Sequence, residues 1–242
     1  MAEGVYKITQ QFEQELSNYT GAKYVVCVDS MSNALFLSLY YENHVKKSIK
    51  GSITIPNRTY PSVPCEIIHA GLKVEFEQIE GNSIKGAYQL KGSKVWDSAL
   101  RFTHNMFIPE THMCISFTGA YKHLKLSKGG AILTDDYDAH IWFKKARFSG
   151  RDECSYHIDD FDNNPVIGWN FYMLPELATR GLLLMSNFYR NGIPQQPHHP
   201  EYHELQQNQH QLSYFFQFLY HLIFEHPYLL WLIGLSDSDH QC

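Results

Sequence analysis

The chain opens M-A-E-G-V-Y-K, with no basic stretch leading into an apolar run, so no secretory leader is expected. It also lacks a C-x-x-C pair. Its five cysteines, Cys27, Cys65, Cys114, Cys154 and Cys242, are scattered, and three fall inside apolar runs. That pattern suits buried free thiols in a reducing compartment better than a disulfide framework, and the cytoplasm is the expected location. Positive charge is not in excess: the formal net charge is -5, which gives no reason to expect nucleic acid as a partner. An uninterrupted apolar run of about 20 residues, as a spanning helix requires, is missing too. Residues 212–224 are apolar on nearly every face, but His221, Glu225, His226 and Pro227 interrupt before 228–235 resumes. A helix packed on the domain or on a dimer is expected there, with membrane contact through 212–235 as the alternative. His198, His199 and His203 have no cysteine or second ligand pair to frame them, so the Pro/His/Gln-rich stretch around them reads as a solvated linker and not a metal site.

What is present describes a globular α/β chain. With 242 residues and 44% hydrophobic content there is enough material for one well-buried domain. Phe12, Leu16 and Tyr19 recur at helical spacing before the Thr20-Gly21 stop, and residues 24–28 (Y-V-V-C-V) form a run of strand length. A turn and an apolar helix follow at once. A second unit repeats the pattern: strand 53–56, helix 62–70 stopped by Gly71, strand 72–76. Short extended runs at 87–90 and 94–96, an amphipathic helix over 136–148 and another helix over 174–188 complete it. Strand-helix-strand repetition predicts a mostly parallel central sheet with helices on both faces.

Four places in this framework carry polar groups where chemistry is useful. Ser30 and Ser32 stand at the start of the first apolar helix, where hydroxyls and free backbone N–H groups either cap the helix or bind an anion such as phosphate. Tyr60, in the loop after the second strand, offers a flat ring for stacking or simply packs under its loop. Asp97 ends a core strand, where a carboxylate needs a cationic partner or serves as a turn cap. The stretch C-I-S-F-T-G-A-Y-K-H-L-K-L-S-K-G-G-A-I-L-T-D-D joins two apolar runs by a basic loop with Lys122, Lys125 and Lys128. A lysine so placed either faces water or, with its pKa lowered by apolar surroundings, forms a covalent link to a cofactor. Lys122 is the candidate.

Taken in order, these segments resemble the DegT/DnrJ-type sugar aminotransferases, which use pyridoxal phosphate (PLP) on the type I aminotransferase fold. Ser116-Phe117, Lys122 and Gly129-Gly130 before T-D-D are similar to the family's cofactor-lysine segment, with one extra residue between Ser116 and Lys122 and with Lys128 where glutamate is common. Ser30-Met31-Ser32 is similar to its phosphate turn, Met31 replacing glycine; Thr59-Tyr60 matches P-x-x-T-F/Y; Asp97 and Ala99 match its acidic strand end, with Leu100 replacing a polar residue. G-W-N-F-Y-M at 168–173 resembles G-Y-N-Y-R-M, Tyr172 replacing arginine. The resemblance implies that Lys122 holds PLP covalently and shuttles a proton, Asp97 keeps the pyridine protonated and Tyr60 stacks. It also implies that the 30–32 turn, Ser116 and, from a second subunit, Asn170 hold the phosphate. Nucleotide-linked keto-sugar and amino-acid substrates and a homodimer follow from the same resemblance. It covers roughly 8–192, and a cofactor-binding large domain is expected over 1–192; 193–210 reads as a linker and 211–242 as an apolar helical tail in place of the family's small C-terminal domain. A chain truncated in this way is expected to bind cofactor with weak or absent aminotransfer, or to serve as a binding or oligomerisation module.

Overall fold

The computed structural model describes residues 3–78, 86–119, 122–153 and 165–190. Within them the elements run α1 (Glu3–Thr20), β1 (Tyr24–Val28), α2 (Met31–Tyr40) with a π-helical turn (Tyr41–Val45), β2 (Ile53–Pro56), α3 (Ser62–His69), β3 (Val74–Glu77), β4 (Tyr88–Gln89), β5 (Val95–Asp97), β6 (His112–Ser116), β7 (Gly130–Thr134), α4 (Tyr137–Ala146) and α5 (Pro175–Arg190). The stretches 193–210 and 211–242, with their histidines, and Cys154 and Cys242 lie outside the described residues. Among the described ones Cys27, Cys65 and Cys114 are free thiols. No described helix is long and apolar enough to cross a membrane, and no described group of His, Cys, Asp and Glu could hold a metal ion.

Apolar runs in β1, β6 and β7 are too continuous for a half-wet sheet, and cover on both faces is the consequence. Along β1, Val26 and Val28 face a core built with Cys114, Ile132 and helices α2, α3 and α4. Val25 and Cys27 point the other way, into a second core with Met113, Ile115, Leu133, α1 and α5. Helix α2 lies beneath the sheet and is apolar nearly all round, with Ala34, Leu37 and Leu39 wholly buried. Each such leucine contributes about 1.5–3 kcal/mol by burial. Ser30 starts this helix by accepting a hydrogen bond from the Asn33 N–H at 3.2 Å. Asp136 does the same for α4, accepting from Ala139 N–H at 3.0 Å.

The strands order β1-β7-β6-β5-β4, and the pair β2-β3 attaches to the β4 edge through reciprocal backbone hydrogen bonds between Thr54 and Lys91. Pairing is parallel in β2–β3, where α3 makes the crossover, and in β5–β6. It is antiparallel in β4–β5, β6–β7 and β1–β7. Connection length explains the antiparallel pairing of β4 with β5. Residues 90–94 between β4 and β5 are too few for a crossover and close a hairpin through Gly92, whose φ of 95° only glycine adopts readily. Register in this hairpin sets Tyr88 opposite Asp97.

The outer edge of β1 is closed by charge. Cys27 donates its N–H to Glu13 of α1 at 2.8 Å, and its carbonyl accepts from the guanidinium of Arg147, which follows α4. Arg147 is 1% exposed and is also paired with Glu13 and Glu153. Burial pushes Glu153 up, but Arg147 and Lys144 outweigh it and pull its pKa from an ordinary 4.5 down to about 2. A carboxylate depressed in the folded state contributes stability that is present above its unfolded pKa and lost as pH falls through the folded one. Urea-unfolding stability should therefore drop between pH 4.5 and about 2, and Glu153→Gln should flatten that interval; an unaltered slope would refute the assignment. Arg147→Met, which strands two buried carboxylates, should cost about 3–5 kcal/mol in the same assay.

Candidate functional site

Polar groups collect along one edge of the sheet, where β1, β2, β5 and β6 end and β7 begins. At the close of β1, Asp29 accepts from Asn33 Nδ2 at 2.6 Å and pairs with Lys128 at 3.3 Å, and its N–H bonds to the Phe171 carbonyl. Gly130 permits the tight corner beside it: a Cβ there would stand 2.5 Å from the Met31 nitrogen, so the start of β7 and the start of α2 meet backbone to backbone. Met31 itself is buried, 8% exposed, as the first residue of α2. Ser32 Oγ donates to Ser62 Oγ at 2.8 Å, tying the first turns of α2 and α3 together. Ser116, paired with Gly130 across β6–β7, accepts from the Thr118 N–H at 3.3 Å.

The second cluster surrounds Asp97, which is 4% exposed. Its Oδ1 accepts from the Ala99 N–H at 2.9 Å and its Oδ2 from the Tyr88 hydroxyl at 2.8 Å. Tyr88 in turn meets the hydroxyl of Thr59, which is buried, while the neighbouring Tyr60 turns outward and is 68% exposed. The Lys122 ammonium donates to the Ala99 carbonyl, so one residue ties both charges: N–H to the carboxylate, C=O to the amine. Burial pushes Asp97 above the ordinary carboxylate range despite the Ala99 and Tyr88 hydrogen bonds and the Lys122 charge. Burial likewise pushes Lys122 down, with Asp97 pulling it partly back. Both groups move toward their neutral forms, as a low-dielectric site demands.

Of the residues singled out from the sequence, Ser30, Met31 and Ser116 flank the Gly129-Gly130 corner, and Lys122 and Asp97 share Ala99. Ser32 connects to the Thr59 loop through Ser62. Tyr60 faces solvent, and Asn170 is exposed on a segment bridged to Phe148. Sequence reasoning missed Tyr88, whose link to Asp97 depends on the hairpin register, and did not anticipate the Asn33–Asp29–Lys128 group at the start of α2.

Residues 3–89 match the model of the DegT/DnrJ/EryC1/StrS aminotransferase family. Solved structures of similar fold include an E. coli GDP-4-keto-6-deoxy-D-mannose-3-dehydratase with bound hydrated PLP (18% identity, TM-score 0.58, covering 76% of this chain and 61% of that one). A sugar aminotransferase from Micromonospora echinospora aligns with 16% identity and a TM-score of 0.57 over 74% of this chain and 61% of that one. The Helicobacter pylori aminotransferase PseC gives 15%, 0.58, 74% and 57%. These likenesses establish the fold alone, an α/β layer shared with those structures, and the chain spans about three fifths of the solved relatives' length. No curated protein sequence gives a significant match.

The depressed Lys122 amine makes a direct prediction. It should react with an amine-selective acylating reagent at lower pH than the exposed Lys125, read by peptide mass spectrometry. Asp97→Asn, which removes the charge that raises Lys122, should move its labelling midpoint lower still. Equal labelling of Lys122 and Lys125 across the pH range would count against a desolvated amine.

Proposed function

We propose that this chain binds pyridoxal phosphate and belongs to the chemistry of amino-group transfer between an amino acid and a nucleotide-linked keto sugar. The observation that carries the reading is the buried Asp97 carboxylate and half-buried Lys122 amine held on one residue, each shifted toward neutrality by burial. The donor set fits the cofactor. A carboxylate has about four lone-pair sites, and the Ala99 N–H and Tyr88 hydroxyl account for two, leaving capacity for a ring N–H. When bound, PLP supplies an electron sink for the bond broken at the amino donor's α carbon.

The chain's own groups supply the rest. Asp97 would balance the positive charge on the ring nitrogen, and Lys122, whose pKa burial lowers, would serve first as the covalent anchor and then as the base that takes the proton from the donor's Cα. Ser30, Ser32 and the free N–H groups of α2 hold the phosphate, with Ser116 beside them and Lys128 adding positive charge. Tyr60 covers a ring face once its loop folds inward. Asn170 completes the phosphate site from a second copy of the chain, and the exposed Ile167, Leu174 and Leu183 give that copy apolar surface to bury. A reading as a cofactor-holding module of low activity is favoured by one specific observation, the outward position of Tyr60.

Addition of PLP to the purified protein should produce the visible absorbance of a lysine-linked cofactor, which borohydride fixes on Lys122 and Lys122→Ala abolishes. A wild-type mixture whose spectrum is that of free PLP, with no cofactor retained after desalting, would overturn the proposal. Glutamate added to the coloured form discriminates the two readings: rapid loss of the band with formation of pyridoxamine phosphate identifies an enzyme, whereas a persistent band identifies the holding module. Light scattering should return a dimer, and a monomer that retains PLP tightly would remove Asn170 from the site.

A further inference from the structure

Every oxygen in the Asp97 environment has a traceable proton. Tyr88 sits directly across the β4–β5 ladder from Asp97, so both side chains leave the same face of the sheet. The phenol is buried, 7% exposed, and its single proton lies on Asp97 Oδ2 at 2.8 Å. With that proton committed, the phenol oxygen can only accept from Thr59, whose hydroxyl therefore donates to it. The result is a directed chain, Thr59 to Tyr88 to Asp97, with every dipole aimed at the carboxylate. The Ala99 N–H reinforces it from the other oxygen. Neither Thr59 nor Tyr88 is needed to hold a phosphate or form a covalent link, yet both are buried polar groups spent on one carboxyl group.

We propose that Tyr88, polarised by Thr59, is the positioning residue that favours the ionised form of Asp97 against desolvation and fixes its orientation. The proposal deepens the cofactor reading and rests on it, since an ionised Asp97 is what a ring nitrogen requires to stay protonated. Energetically the case is one of competition. Desolvation drives Asp97 toward its protonated form, and a hydrogen bond to a charged group is among the few local interactions strong enough to oppose that. A purely structural tyrosine would fill space and satisfy its own hydroxyl without altering the proton affinity of Asp97.

The test is a carbon-13 NMR titration of the Asp97 carboxyl in cofactor-free, aspartate-labelled protein, the resonance being identified by its loss in Asp97→Asn. Tyr88→Phe keeps the ring and deletes the donor, and should raise the Asp97 midpoint by about one pH unit or more, about a tenfold change in proton affinity. Thr59→Val should move it the same way by less, and it decides the matter if Tyr88→Phe does not fold. In PLP-loaded protein, the pH midpoint of the visible band should shift in Tyr88→Phe as well. An Asp97 midpoint unmoved by these variants while the wild type still takes up PLP overturns this inference alone. Failure of the wild type to take up PLP overturns the cofactor reading and, with it, the role of Tyr88 toward the ring.

Discussion

One buried guanidinium holds the two helical layers of this protein together at the edge of its sheet. β1 is an edge strand, and an edge presents unpaired N–H and C=O groups that must be covered or risk pairing with another chain. At Cys27 both groups are used, the N–H by Glu13 and the carbonyl by Arg147. Glu13 comes from the α1 side of the sheet and Arg147 from the end of α4 on the other, so the ion pair reaches around the strand and clasps the layers. The Arg147 carbonyl then accepts from Phe171 N–H, and the Phe171 carbonyl from Asp29 N–H, which positions the turn into α2. Ser30 and the backbone donors at the head of α2 are thus placed by an interaction on the far side of the edge strand.

The same logic of charge in a dry environment governs the site. At the edge strand two cations, Arg147 and Lys144, and the neutral amide N–H of Gln10 converge on Glu153, and the carboxylate stays charged. Among the described residues one cation, Lys122, acts on Asp97 and it is itself partly desolvated, so burial wins and both groups shift toward neutrality. That difference separates an over-paired structural cluster from a sparsely paired site, and buried groups shifted toward neutrality are candidates for proton transfer. Glu42 is an intermediate case. Burial pushes it up, but hydrogen bonds from His112 and Ser48 outweigh it and leave it below its ordinary range, at the end of β6 remote from Asp97.

Much of this was legible in the sequence. Apolar runs and helical spacing located β1, α2, α3, α4 and α5 because each has a strong period and a clear stop, and the acidic and lysine candidates were named because they close apolar strands. What escaped the sequence depends on register or on distance. Tyr88 reaches Asp97 only because residues 90–94 form a hairpin, and a short connection containing a glycine is the signal that could have announced it. Arg147 reads as an ordinary basic residue near a helix end, since nothing local reveals that Glu13, far earlier in the chain, lies beside it. Tyr60 was expected over a ring, but Thr59 takes the inward position in that loop and sends its neighbour outward.

That exchange between Thr59 and Tyr60 bears on how binding and catalysis are divided. Asp97, Ala99, Tyr88 and Thr59 are anchored by ladder pairing and buried hydrogen bonds, so the groups proposed to meet a ring are fixed by the sheet. The group that would cover the ring rides on a surface loop, its carbonyl accepting from the Val63 N–H and its side chain standing in water. Cofactor affinity should therefore respond mainly to substitutions in the strands, while reaction rate, which needs water kept from the reacting carbon, should respond to Tyr60 and whatever closes over it. A protein built this way can lose activity without losing its cofactor, since the two properties rest on different residues and on different degrees of burial.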